Sequence, residues 1–326
     1  MRAFEYARPA TREQAVKLLA AVDSTILAGG SDLLGLMKDS VETPRRLVSV
    51  QAIAGLHGIR HDPAAGLSIG ALTTVDELAH DPAVQREYPV LARAADHVAG
   101  PQIRNVASIG GNLCQRPRCW YFRNGFGLLA TRAGRSMVVE GDNRYHAILG
   151  NDGPAYFVHP STLVPLLVAL GATVTLFGPR GERRLPLADL YRIPRREGER
   201  EHTLAAGEMV TGVQVPPLAG RKTWSYEVRQ RQTLDWSLAT AAVALQMEGD
   251  RVAEARVVLG QVAPIPWTAA EAERELAGKR LDAAAAERAA DAAVREAKPL
   301  SRNRYKIQLT RVAVKRALAA AGGMEA

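Results

Sequence analysis

The segment Thr25-Ile26-Leu27-Ala28-Gly29-Gly30-Ser31-Asp32-Leu33 constrains the fold more than any other. Its apolar run reads as a buried strand, and the strand empties into paired glycines. Glycines after a strand let backbone N–H groups approach an anion with no Cβ in the way. Ser31 adds a hydroxyl donor. Much later in the chain, Ala107-Ser108-Ile109-Gly110-Gly111-Asn112 offers the same chemistry. Each turn alone is also what an ordinary tight turn looks like; together, with matching polar followers, they suit a pyrophosphate. Neither is a βαβ dinucleotide fingerprint. The one G-x-G-x-x-A match, Gly125 to Ala130, follows no strand pattern and opens no βαβ unit, and there is no Walker motif.

Around these turns the chain alternates short elements. Thr11 and Gln14 form a capping box before a helix carrying Ala15, Leu18, Leu19 and Val22. Leu47 to Val50 is a second strand, and Gly58 to Asp62 with Leu67 to Gly70 a hairpin. Thr74 and Glu77 box a short helix, and Val90 to Val98 is helical, stopped by Gly100-Pro101. Residues 113–155 lack periodicity and read as a long ordered loop, a class that is usually functional. Ser161 caps a helix ending at Gly171, Ala172 to Phe177 and Met209 to Val215 are strands, and 191–203 is a charged, mobile stretch. Beyond Pro216-Pro217 come an antiparallel meander (Thr223 to Arg229, Leu238 to Met247, Arg251 to Gly260) and three helices. Thr268 and Glu271 cap the first of these, and the others run from Asp282 to Ala297 and from Arg304 to Ala321. The fold class is α+β.

Composition narrows the chemistry. Of 326 residues, 47% are hydrophobic and 23% charged, enough for a sizeable core and about two domains. The net charge of +8 is dispersed, and with 5% aromatics it argues against a nucleic-acid track. Its densest cluster, Arg192, Arg195, Arg196 and Arg200, is broken by glutamates and reads as a solvated loop or part of a partner surface. The two cysteines, Cys114 and Cys119, exclude a disulfide scaffold or a four-thiolate metal site from this chain alone. They read as buried thiols, while a shared cluster ligand or redox pair lacks partners. His57 and His61 lack a third ligand, so no metal is expected. The N-terminus has no apolar signal-peptide core and the longest greasy stretch, Leu163 to Leu170, is too short to span a bilayer. The expectation is a soluble protein without membrane insertion or its own export address, cytoplasmic or co-exported to the periplasm with a signal-bearing partner.

Taken in order, Ala28 to Leu34, Gly70 to Thr74, Ile103 to Asn112, Gly260 to Pro266 and Ala297 to Ser301 with Tyr305-Lys306 resemble the FAD-binding medium subunit of the xanthine dehydrogenase and aldehyde oxidoreductase family of molybdenum hydroxylases. The resemblance covers nearly the whole chain. It implies a two-subdomain PCMH-type FAD-binding domain over 1–217 (subdomains about 1–55 and 56–217), then a CO-dehydrogenase-flavoprotein-like C-terminal domain over 218–326. It further implies FAD as cofactor, a molybdopterin-containing large subunit that oxidises the substrate, and a small subunit whose two [2Fe-2S] clusters deliver electrons to the flavin. By position, Ile26, Leu27, Ala28, Gly29, Gly30, Ser31, Asp32 and Leu33 would wrap the pyrophosphate. Val98 and Ala99 would lie along the cofactor, Ser108, Gly111 and Asn112 would form the second anion-binding turn, and Val210 would pack near the isoalloxazine.

Two positions depart from the family pattern. Thr162 stands where many relatives have Asp, and Glu227 where they have Lys near the flavin. A carboxylate there disfavours an anionic reduced flavin unless Arg229 or Arg231 compensates. Arg118-Cys119-Trp120-Tyr121-Phe122-Arg123 matches a segment that precedes a [4Fe-4S] loop in some relatives, but no cysteine follows it here, so that cluster is expected to be absent. The chain carries no nucleophile or base motif of its own, so no catalytic residue is assigned. The leading reading is an electron-transferring flavoprotein subunit, active only within its complex. A cofactor-free scaffold and a stand-alone flavin oxidase of the same superfold are the alternatives.

Overall fold

Three short strands, β1 (Glu5–Ala7), β2 (Ser24–Leu27) and β3 (Arg46–Ser49), make the first sheet of a computed structural model that describes residues 1–21, 23–231 and 235–324. They pair in parallel in the order β1-β3-β2, with Leu47 opposite both Tyr6 and Thr25. Parallel neighbours need crossovers; the helices Arg12–Leu19 and Leu33–Lys38 supply them. Thr11 caps the first by accepting from the Gln14 N–H at 3.2 Å. The Gln14 side chain, however, accepts from Ala10 rather than Thr11, so the expected box closes one residue early. Ala15 is buried in this helix; Val22 lies outside the described residues.

The second sheet begins with the hairpin β4 (Ile59–Asp62) and β5 (Gly66–Gly70). The capping box at Thr74 and Glu77 forms as expected. The long 113–155 stretch holds two one-turn helices and a minimal hairpin, β6 (Thr131–Arg132) with β7 (Arg135–Ser136). After it, β8 (Thr173–Gly178), β9 (Gly181–Pro186) and β10 (Met209–Val215) complete the antiparallel order β4-β5-β10-β8-β9. Helices Val75–His80, Pro89–Asp96 and Leu163–Ala169 bury Leu78, Leu91 and Leu166 against this sheet in one continuous core. The 191–203 stretch is tied down rather than loose. Tyr191 bridges to His202, and the Arg192 guanidinium donates to the Arg200 carbonyl at 2.9 Å.

The third sheet is the expected meander, β11 (Lys222–Arg229), β12 (Ser237–Glu248) and β13 (Arg251–Gly260), extended by β14 (Trp267–Thr268). Thr268 therefore pairs with Val258 instead of capping; Ala269 precedes the helix Ala270–Leu276, and no side chain caps it. Helices Ala270–Leu276 and Tyr305–Gly322 pack on one face of the sheet with Ala283–Ala293 against both, and Ala289, Val314 and Leu318 share one core with Val243 and Val257. The other face of β12, through Ala242 and Ala244, belongs to the core of the second sheet. A strand buried on both faces reads as a near-continuous apolar run, as Leu238 to Leu245 does with Thr240 its one polar member. Among the described residues no helix is long and apolar enough to cross a membrane.

Candidate cofactor cleft

A cleft of about 630 Å³ opens between the first sheet, the second glycine turn and the approach to β10. It lies within the usual range for small-molecule sites. Ile26, Ala28, Gly29, Gly30, Ser31, Asp32, Leu33, Ser108, Gly111 and Val210 all line it. The two turns, distant in sequence, thus share one wall. They touch at a single corner, where a Cβ on Gly29 would lie 1.7 Å from the Val106 carbonyl oxygen.

The turns are not equivalent. In the first, the backbone N–H groups of Gly29, Gly30, Ser31 and Asp32 meet no acceptor among the described residues. Gly30 takes φ +72°, a left-handed value that only glycine adopts without strain. In the second, the four amides from Ile109 to Asn112 are already paired, while the Ser108 N–H meets no acceptor among the described residues. Ile109 N–H donates to Thr73 and Gly110 N–H to Ala71, both at 2.8 Å, while Gly111 N–H donates to Ser108 Oγ at 3.1 Å and Asn112 N–H to the Ser108 carbonyl. The second turn is therefore less open than the first: Ser108 Oγ caps the helix Ile109–Leu113 by accepting from Gly111, and its own N–H and hydroxyl hydrogen are the donors left. What the second turn contributes is a bare, Cβ-free wall and one hydroxyl.

Asp32 would repel an anion if it were alone. Its Oδ1 instead accepts from Arg118 and Arg123, each at 2.8 Å, and its Oδ2 from the Arg116 backbone N–H. The Arg118 to Arg123 segment is thereby latched onto the first turn. Nearby, Arg116 pairs with Glu201 at 2.6 Å and with Glu42, and Arg200 lies 3.6 Å from Glu42. Asp23 and Glu208 also line the cleft, paired with Arg45 and Arg183, so its carboxylates are neutralised by arginines rather than left bare. Leu36, Val50, Leu56, Leu72 and Met209 give the remaining wall an apolar surface suited to flat rings. Burial pushes the Cys114 thiol up to about 12 and holds His202 down at about 4, so both stay neutral at pH 7.

Five of the expected site residues lie elsewhere, and Leu27, unlike Ile26 before it in β2, does not line the cleft. Val98 and Ala99 present their carbonyls to the Arg104 guanidinium, which also pairs with Asp96 at 2.9 Å. Asn112 accepts from Ser161 Oγ at 2.6 Å, behind the cleft wall. Thr162 is buried at the start of its helix and makes no capping bond; Ser161 caps instead, accepting from the Val164 N–H. Glu227 lines a separate cavity of about 510 Å³ with Arg93 and His97. It pairs with Arg229 at 2.9 Å, the compensation anticipated for its charge. Cys119 is apart from Cys114, 3.2 Å from His146 Nε2. Residues missed by sequence reading include Gln115, Arg116, Arg200 and the approach to β10 from His202 to Met209. The last of these carried a signal: it runs directly into Val210.

A run of free amides, a neutralised carboxylate and a long apolar wall fit a dinucleotide. The family described as the FAD-binding domain in molybdopterin dehydrogenase matches residues 2–218, and the CO dehydrogenase flavoprotein C-terminal domain matches 224–321. The chain belongs to this family. Its FAD-binding relatives include the aldehyde oxidoreductase FAD-binding subunit PaoB of Escherichia coli, 35% identical over 95% of this chain and 96% of that one. The carbon monoxide dehydrogenase medium chain of Hydrogenophaga pseudoflava is 32% identical over 98% of this chain and 96% of that protein. The solved Hydrogenophaga enzyme superposes with a TM-score of 0.77 at 31% identity, covering 99% of this chain and 98% of that one. Quinoline 2-oxidoreductase from Pseudomonas putida 86 superposes equally well, with a TM-score of 0.77 at 26% identity over 99% and 98% of the two chains. The family's two-domain FAD-binding architecture and its oxidoreductase character are thus those of this chain.

Proposed function

We propose that FAD occupies the 630 Å³ cleft with its pyrophosphate at Gly29 to Asp32, and that the chain works as the electron-carrying subunit of a molybdenum hydroxylase complex. The observation that carries the placement is the run of unpaired N–H groups opening into the cleft. Backbone amides there need no reorganisation to receive an anion. Ser31 adds a hydroxyl, and the Arg118 and Arg123 pair cancels the Asp32 charge that would otherwise oppose binding. Flavin accepts and releases electrons; this chain's residues bind it, exclude water with the apolar wall and keep neighbouring groups neutral.

In this reading a molybdopterin-containing large subunit oxidises the substrate, and a small subunit with [2Fe-2S] clusters relays the electrons. The chain then hands them to a final acceptor. Its relatives' names support membership of a multi-subunit enzyme: two are FAD-binding or medium chains of aldehyde oxidoreductase and carbon monoxide dehydrogenase. We also assign residues 1–217 to FAD binding and 218–326 to a C-terminal domain that closes over the same core.

The purified chain tests this. It should be yellow, carry about one FAD, bleach with dithionite and contain no iron above background. Turnover should appear only after partner subunits are added. A colourless chain that takes up no FAD, or turnover by the chain alone, would remove the reading.

A further inference from the structure

We propose that Lys306 is a positioning residue for the cofactor cleft, acting from the C-terminal helix through a buried chain of hydrogen bonds. Its side chain is 1% exposed. The ammonium donates to three backbone carbonyls, those of Tyr145, His146 and Gln261, at 3.3, 3.2 and 2.6 Å. No carboxylate pairs with it among the described residues. A lysine has three donors and no acceptor, which matches three converging carbonyls; an apolar side chain would leave all three unmet.

The bond to Gln261 matters most. Gln261 is a non-glycine residue at φ +59°, in the sparsely populated left-handed region. Lys306 holds its carbonyl, and Thr240 Oγ donates to its Oε1 at 2.5 Å. Thus fixed, Gln261 Nε2 donates to the Ser161 carbonyl at 3.0 Å, and Ser161 Oγ donates to Asn112 Oδ1 at 2.6 Å. The Asn112 carbonyl accepts from Gln115 Nε2 at 3.0 Å, and Gln115 lines the cleft. Arg118 then donates to Gln115 Oε1 at 3.3 Å and pairs with Asp32 of the first turn at 2.8 Å. The chain runs from Lys306 in the last helix to the glycine turn near the N-terminus. Its links from Lys306 to Gln115 are all buried. It also gives Asn112 a place: it joins the cleft wall to the C-terminal half rather than facing the cofactor.

This inference rests on FAD occupying the cleft, and the experiment separates the two. The full-length chain is prepared without flavin, as wild type, K306M, S161A and the double variant. FAD affinity is measured by fluorescence titration, and backbone hydrogen exchange is followed over residues 109–118 in the flavin-free proteins. Each single variant should weaken FAD binding about five- to tenfold, because each cuts the same path to the cleft once. Each should also speed exchange in 109–118, and the double variant should be no worse than the weaker single. S161A cuts the chain midway, so it decides the matter if K306M does not fold. Unchanged exchange in 109–118 for S161A, or losses that multiply in the double variant, would overturn the positioning role. Failure of the wild type to bind FAD would instead strike the cofactor reading, while the exchange result still judges the coupling.

Discussion

Replacing Gly29 with alanine tests the cleft most directly. The new Cβ would sit 1.7 Å from the Val106 oxygen and 2.6 Å from its carbonyl carbon, both backbone atoms that cannot swing aside. Restoring even a 3.0 Å contact requires the two turns to part by at least about 1.3 Å. Hydrogen bonds tolerate only a few tenths of an ångström around 2.9 Å, so the amides at Gly29 and Gly30 would leave register with a pyrophosphate. Bonds from amides to a charged acceptor contribute about 1.5–3 kcal/mol each. Losing two predicts a rise in the FAD dissociation constant of at least about a hundredfold. Gly35→Ala, at a position that does not line the cleft, is the matched control. Its backbone φ is ordinary, and its Cβ would meet nothing within 4 Å. Fluorescence titration of both apo-proteins, with circular dichroism to confirm folding, measures the contrast. A folded Gly29→Ala protein binding FAD within threefold of wild type would refute the argument that this turn holds the pyrophosphate.

Other expectations follow from the same geometry. Asp32→Asn removes the carboxylate charge shared by Arg118 and Arg123, so segment 116–123 should detach first, seen as faster proteolysis or hydrogen exchange there with a stability loss of about 1–3 kcal/mol. Burial holds Lys306 at about 7 against an ordinary 10.5, so between those values the unfolded chain keeps a proton the folded one lacks. That group alone makes stability rise with pH across the window, by at most about 1.4 kcal/mol per pH unit. The urea-unfolding stability of wild type minus that of K306M should therefore grow between pH 7 and 9.5, and parallel curves would contradict the burial. His146, His159 and His202 are held neutral by burial, at about 4, 3 and 4. Below pH 6.5 the unfolded chain gains protons the folded one refuses, so stability should fall steeply between pH 6.5 and 4; a flat profile there would contradict it.

Much of the architecture was legible because its signals are local. Thr74 with Glu77, the hairpin of Gly58 to Asp62 with Leu67 to Gly70 and the apolar run through Leu238 to Leu245 each specify an element from a few neighbouring residues. Thr268 misled because capping chemistry and strand pairing use the same residue types, and pairing with Val258 won. At the site, residues carried by the first glycine turn were found from sequence. Arg116, Arg200 and Gln115 were not, because nothing near them in sequence marks a cleft.

The chain's own order of residues determined that Gly29 and Gly30 follow a strand with bare amides, since a missing Cβ and a positive φ are properties of those residues. Whether an amide is free to hold a ligand is another matter, decided by what lies across from it. The turn at Ser108 has the same local composition, yet Ala71 and Thr73, brought alongside by the fold, take the amides of Gly110 and Ile109. A backbone donor can be used only once, and which partner claims it is settled by long-range packing that local sequence does not encode.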